Sequence, residues 1–126
     1  MKADEECLRD DTPILFNWRV RKAPYELAGT VLPAQAVLWL MLASGNHDPQ
    51  HFDDPDTFNI QRAKVDHLAF GGGVHFCLGS QLARMEARHA IGQFAQRTAG
   101  LEIRAGQLAW SHSFFRVLAS LPVSFH

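Results

Sequence analysis

Phe70-Gly71-Gly72-Gly73-Val74-His75-Phe76-Cys77-Leu78-Gly79 runs straight into Ser80-Gln81-Leu82-Ala83-Arg84-Met85-Glu86-Ala87-Arg88. The second stretch reads as helix, with good helix formers throughout and apolar residues recurring at Leu78, Leu82, Met85, Ile91 and Phe94. Cys77 is therefore expected at or just before a helix N-terminus. Unpaired backbone N–H groups and the positive end of the helix dipole favour the thiolate there, and the thiolate is the form that binds a metal. Gly73 and Gly79 flank the cysteine. Having no Cβ, each is expected to permit positive φ and a close approach of backbone to a flat ligand. Phe70 and Phe76 supply aromatic walls.

Other readings of these residues stand beside that one. A lone intracellular cysteine is often a small buried hydrophobe. His67, His75 and Cys77 suggest zinc, but no second C-x-x-C or H-x-x-x-H pair accompanies them. The glycine run also suggests a dinucleotide fingerprint; Phe76 occupies its third glycine position and no parallel βαβ unit surrounds it, so that reading is discarded.

Taken together, Phe70, Gly73, Cys77 and Gly79 form F-x-x-G-x-x-x-C-x-G, which resembles the haem-binding loop of the cytochrome P-450 family, the haem-thiolate monooxygenases. His75 stands where many bacterial members have a histidine. Two glycines at fixed offsets from a cysteine arise by chance at about 0.5% per register, before the phenylalanine and the helix are demanded. Further segments match in the family's order. Glu6 and Arg9 resemble the E-x-x-R pair of the helix preceding the haem loop. Asn46 to Arg62, with Phe52-Asp53-Asp54-Pro55-Asp56-Thr57-Phe58, resembles the irregular meander, and Arg62 falls where an arginine joins that pair. Charge-assisted forks between a carboxylate and two guanidinium groups can pin a loop that lacks regular structure. Taken alone, Glu6 and Arg9 read as a helix-surface ion pair worth little. Arg19 sits where similar bacterial proteins have an arginine reaching a haem propionate, and His75 is expected at the other; a strand-edge arginine and an unengaged histidine are the plainer alternatives. Two departures touch turn geometry and one surface contact. Gln35 stands where a glycine is usual after Pro33, and His47 replaces a common arginine after Asn46.

The resemblance implies an α+β fragment of a mainly helical parent fold, the C-terminal portion of a soluble bacterial type. Its expected order is helix, short antiparallel strands, meander, haem-binding loop, long helix and closing β-hairpin, all within one haem-binding unit over residues 1–126. It implies haem b (iron protoporphyrin IX) held by Cys77 as proximal ligand, with backbone N–H groups from Leu78 onward hydrogen-bonded to the sulfur. Thiolate donation favours O–O cleavage on the opposite face. The family reaction inserts one atom of O2 into a small organic substrate, with electrons from a donor such as a ferredoxin and its reductase. Arg84 and Arg88, one helical turn apart, suggest a docking patch for an acidic donor; an ordinary solvated helix face is the plainer reading. No residue here is assigned a catalytic role. Met1 opens almost directly on the Glu6–Arg9 helix, so the long distal helix with its acid and alcohol pair, and the substrate-pocket helices, are expected elsewhere. Two functions of different class follow: the haem-thiolate part of a monooxygenase, or a non-catalytic remnant or haem-binding module.

Composition sets the remaining bounds. At 126 residues and 47% hydrophobic, the chain permits one domain with a modest core. Twelve basic and thirteen acidic side chains leave net charge −1, so no global field draws it to nucleic acid or an anionic membrane. The acidic start lacks a signal peptide's apolar core, and Ala36 to Ala43 is too short to span a bilayer. Two cysteines give no disulfide framework, which suits a reducing cytoplasm. Asp4 to Arg9 is expected to be helical and to stop before Pro13; Ile14 to Val20, Tyr25 to Leu32, Leu101 to Arg104 and Phe114 to Phe125 are expected strands. Val37 to Ala43 reads equally as strand or helix, 46–69 as a loop, and Gly100 as a left-handed cap ending the long helix.

Overall fold

The computed structural model describes residues 2–104, 108–113 and 115–126. Helix α1 spans Lys2–Asp10. It stops where the Thr12 hydroxyl lies 3.1 and 3.2 Å from the carbonyl oxygens of Leu8 and Arg9, just before Pro13, which has no N–H to extend the ladder. The Trp- and Val-bearing strand β1 (Asn17–Val20) pairs antiparallel with β4 (Val37–Leu40), setting Arg19 opposite Leu38. Between them, β2 (Tyr25–Leu27) and β3 (Thr30–Leu32) form a separate hairpin. The single β run expected over 25–32 is thus folded on itself. Ala28 and Gly29 turn it with φ of +47° and +76°, the two-residue hairpin connection that needs positive φ at both positions.

Residues 37–43 contain both alternatives left open by their pattern. β-branched and aromatic Val37–Leu40 is strand, and the short α2 (Leu42–Gly45) follows directly. From Asn46 to Ala69 the chain has turns and bends without regular elements. A 3₁₀ turn at Gly73–His75 then leads to α3, Ser80–Arg97. The helix does not end on a left-handed Gly100. Thr98 closes it in an extended conformation (φ −119°), and Gly100 serves a close approach instead: a Cβ there would lie 2.8 Å from Nε2 of His126. Past it, β5 (Leu101–Ile103) pairs with β8 (Val123–Phe125), and β6 (Ala109–Trp110) with β7 (Leu118–Ser120). The closing arm is therefore two nested antiparallel pairs rather than one hairpin. Phe114, expected to open the last strand, lies outside the described residues.

The fold is α+β, but its centre is not the apolar core that the length suggested. Among the described residues the buried hydrophobic side chains are Leu42, Phe52 and Ala69, while the largest fully buried ones are Arg9, Glu6, Asn46 and Thr12. An ionic cluster occupies the middle. On α3, Leu82, Met85, Ile91 and Phe94 are 43–61% exposed, and Leu78, in the turn before it, is completely so. At roughly 100° per residue, Leu82 and Met85 share one face of the helix, with Ile91 and Phe94 on the other side. A helix apolar on both sides is built to be covered on both.

Candidate functional site

Cys77 follows the 3₁₀ turn and precedes Gly79, the residue that caps α3. Its N–H donates to the Phe70 carbonyl (2.9 Å), and its own carbonyl accepts from Ser80 N–H (3.2 Å), closing the loop at its neck. The thiol is exposed and unpaired, not sealed in a core, and so is Cys7. Cys77 opens into a cleft of about 280 Å³ whose walls are Leu8, Pro13, Ile14, Leu42, Ala69 and Phe70, with Asn17, Gly71 and His75 completing the lining. The rings of Phe70 and Phe76 sit 6.4 Å apart.

The two glycines of the motif behave differently. Gly73 takes the left-handed conformation, φ +61°, as does Gly71 at +69°. Gly79 does not: its φ is −82°, open to any residue, and a Cβ there would stand 4.0 Å from the Cys77 sulfur. What Gly79 leaves clear is space beside the thiol. Arg19 shares with Asn17 one face of β1, since side chains alternate along a strand. Its Nη1 turns back to the Trp18 carbonyl at 2.8 Å, outside the cleft lining, whereas His75 is part of that lining.

Beneath the loop, Glu6, Arg9 and Arg62 come together. Arg9 Nε and Nη2 each donate to a different oxygen of Glu6 at 2.9 Å, and Arg62 Nε lies 3.2 and 3.3 Å from the same pair. Asn59 N–H adds a bond of 2.9 Å to Oε1. The outer guanidinium hydrogens collect meander carbonyls: Arg9 reaches Asn46 and Pro55, Arg62 reaches Asp53, Asp54 and Thr57. Phe52 lies under both, 5.5 and 5.9 Å from the guanidinium carbons. Burial works against the Glu6 carboxylate. The donors from Arg9 and Asn59 outweigh it, and its pKa falls below the ordinary carboxylate value. A larger cleft, about 350 Å³, lies alongside in the meander between His51 and Lys64. It contains no cysteine, and the guanidinium that borders it is already engaged.

Other side chains tie the meander and α3 to α1. Asn46 is fully buried; its amide donates to Thr12 Oγ1 (2.7 Å), its Oδ1 accepts from Leu68 N–H (2.6 Å), and its carbonyl accepts from Arg9. His47 bridges Asp56 Oδ1 (3.0 Å) and the Asp10 carbonyl (3.1 Å), so the departure at this position still makes a contact. Arg84 and Arg88 are not a free basic patch. Arg84 forks onto Glu5 at 2.7 and 3.0 Å, and Arg88 donates to Asp4 at 3.1 Å, tying α3 to α1. The Arg84 fork is the main reason that the Glu5 pKa is lowered.

Residues 4–98 match the family model described as "Cytochrome P450". The chain belongs to the cytochrome P450 family. It is 40% identical over 124 residues to the biotin biosynthesis cytochrome P450 of Bacillus subtilis (strain 168), a match covering 98% of this chain and 31% of that protein. It is 39% identical over 125 residues to the cytochrome P450 monooxygenase PikC of Streptomyces venezuelae, covering 96% and 30%. Among solved structures, P450BioI in complex with an acyl carrier protein ligated to hexadec-9Z-enoic acid superposes with a TM-score of 0.95 at 40% identity, over 99% of this chain and 33% of that one. Ligand-free P450 TbtJ1 gives 0.93 at 34% identity, over 99% of this chain and 34% of that one. The chain thus spans about a third of the length of the relatives it matches.

Haem is the cofactor of cytochrome P450s, and the residues around Cys77 fit it. The donor set here is one soft sulfur; among the described residues no three His, Cys, Asp or Glu side chains gather to hold an ion. A metal at Cys77 therefore needs a ligand set of its own, as a porphyrin provides. The cleft's apolar walls suit a flat hydrophobic ring. No helix among the described residues is long and apolar enough to cross a membrane.

Proposed function

We propose that Cys77, as a thiolate, holds the iron of haem b in the cleft before α3, and that the chain supplies this proximal part of an O2-dependent monooxygenase. The observation that carries the reading is the exposed Cys77 thiol opening into an apolar cleft directly ahead of a helix N-terminus. When bound, haem supplies the oxygen chemistry. The polypeptide's contribution is positioning. Cys77 presents the sulfur, N–H groups of Leu78 and Gly79 temper its charge, and Phe70 with Ile14 and Leu42 keeps water from the ring. His75 and Arg19 would hold the two propionates, since two unpaired carboxylates beside a partly buried ring are costly. Glu6, Arg9 and Arg62 hold the meander as a structural network and touch no reacting atom. The substrate is a small organic molecule, and electrons come from a ferredoxin-type donor in the reducing cytoplasm.

The test is optical. The haem-loaded protein, reduced and exposed to carbon monoxide, should show the strongly red-shifted Soret band of thiolate ligation, and Cys77→Ala should abolish it. A band unchanged by that substitution removes Cys77 from the iron.

The alternative of different class is a haem-binding module or non-catalytic remnant. Turnover with a surrogate peroxide separates the two. Product from a haem-loaded sample favours the monooxygenase, and a thiolate band without product favours the module.

A further inference from the structure

His67 stands outside the cysteine motif, and nothing in the proposed function uses it. Only 2% of its side chain is exposed. Nε2 is 3.1 Å from Glu5 Oε2 on α1, and Nδ1 is 3.2 Å from the backbone nitrogen of Ala69. An amide N–H can only donate. Nδ1 must therefore be the bare nitrogen, and Nε2 carries the hydrogen that Glu5 accepts. One neutral tautomer satisfies both bonds; imidazolium would set N–H against N–H at Ala69. The surroundings give a proton little welcome. Glu5 is the carboxylate in contact, and it is already forked by Arg84, with Arg88 Nη2 at 3.8 Å and its Nε bonded to Asp4. Asp66, next in the chain, is turned to Lys64. Burial holds His67 below the ordinary imidazole value despite the pull of Glu5.

Ala69 leads directly into the loop. Phe70 follows it, and the Phe70 carbonyl accepts the Cys77 N–H at 2.9 Å. The Phe70 ring has Arg84 4.5 Å from its centroid and the His67 ring at 5.9 Å.

We propose that His67 is a positioning residue for Cys77: its bare Nδ1 holds the Ala69 N–H and so fixes the Phe70 carbonyl against which the cysteine backbone, and with it the sulfur, is set. The spectroscopic part of the test rests on the haem-thiolate reading; the hydrogen-bond chain belongs to the polypeptide and is read separately.

Two substitutions split the two bonds. His67→Asn places a carbonyl oxygen near the Nδ1 position and keeps an acceptor for Ala69 while losing Glu5. His67→Gln places an amide nitrogen near Nε2 and keeps the donor to Glu5 while leaving Ala69 unpaired. The measurements, on the haem-loaded protein, are hydrogen exchange at the Ala69 and Cys77 amides, with α3 amides as internal reference, and the reduced carbon monoxide spectrum. His67→Gln should speed exchange at both amides roughly tenfold, as loss of one buried hydrogen bond predicts, and weaken the thiolate band. His67→Asn should preserve both. In the unsubstituted protein, Ala69 and Cys77 exchange, corrected for its intrinsic rate, should rise relative to α3 as pH is lowered beneath the ordinary imidazole value of about 6.5, and the Asn variant should remove that rise. This series carries the test if His67→Gln does not fold. Equal effects of Asn and Gln, or a Cys77 amide indifferent to the loss of protection at Ala69, would overturn the proposal. The expected exchange pattern without any thiolate band would uphold it and overturn the haem assignment instead.

Discussion

At the scale of single residues, backbone conformation and charge decide most. Gln35 has φ of +65° in the turn Pro33-Ala34-Gln35-Ala36, closed by Ala36 N–H to the Pro33 carbonyl at 3.3 Å. The left-handed conformation costs a side-chain-bearing residue about 1–2 kcal/mol, and glycine's extra chain entropy returns about half of that. Gln35→Gly should therefore stabilise the haem-loaded protein by about 0.5 kcal/mol, read from urea unfolding. The opposite sign is expected in the ionic cluster. Arg9→Met leaves Glu6 buried with one guanidinium instead of two, and removing one partner of a buried pair typically costs about 3–5 kcal/mol. Protons probe the same groups. Glu5 and Glu6 have lowered folded pKa values, so the stability they contribute is complete above the unfolded value, about 4.3, and is lost as pH falls through the folded ones. His67 is also lowered: the unfolded chain takes up its proton first, and stability begins to fall below about pH 6.5. Urea titrations should show two descending steps on acidification, with the upper one missing in His67→Asn.

At the scale of elements, what was legible depended on how local each signal is. The start of α3 is read from adjacent residues, and the helix begins just after Cys77 as that reading expects. The hairpin at Ala28-Gly29 escaped notice because alanine is not the residue that positive φ usually selects; Asn or Asp there would have announced the turn. Ala28→Asn should accordingly sharpen the hairpin, seen as stronger hydrogen-exchange protection of β2 and β3. Gly100 misled for the converse reason. Its missing Cβ makes room for His126, not for a helix cap. Arg84 and Arg88 read as solvated because their partners lie far off in sequence, Glu5 being 79 residues from Arg84. With the Arg88–Asp4 pair, that tie joins α1 to α3. Arg84→Ala takes from Glu5 its two shortest charge-assisted bonds, leaving it His67 and the more distant Arg88, and bares the Phe70 ring; it should cost about 2 kcal/mol in unfolding, with faster loss of haem to an apomyoglobin acceptor.

At the scale of the whole molecule, the apolar surface is the unresolved force. Burying a Leu or Met side chain is worth about 1.5–3 kcal/mol, and contiguous exposed apolar faces of this extent mark surfaces meant for contact. Leu82 and Met85 on α3, with Leu78 in the turn before it, expose apolar side chains immediately after Cys77, and the chain spans about a third of its relatives' length. If that face is covered in the working protein, one substitution should have opposite effects in two settings. In the 126-residue chain alone, Leu82→Asp should reduce binding of a hydrophobic dye and leave helix content unchanged, because the side chain already stands in water. In a chimera where this chain replaces its matching segment in the Bacillus subtilis relative, the same change should bury an unpaired carboxylate. It should cost about 3 kcal/mol or more in unfolding and deplete haem content. Lys64→Ala, on an exposed part of the meander, serves as the control that moves neither reading. A chimera whose stability is the same with Leu82→Asp as without it would mean that α3 faces solvent on this side, and that its apolar residues serve some purpose other than packing.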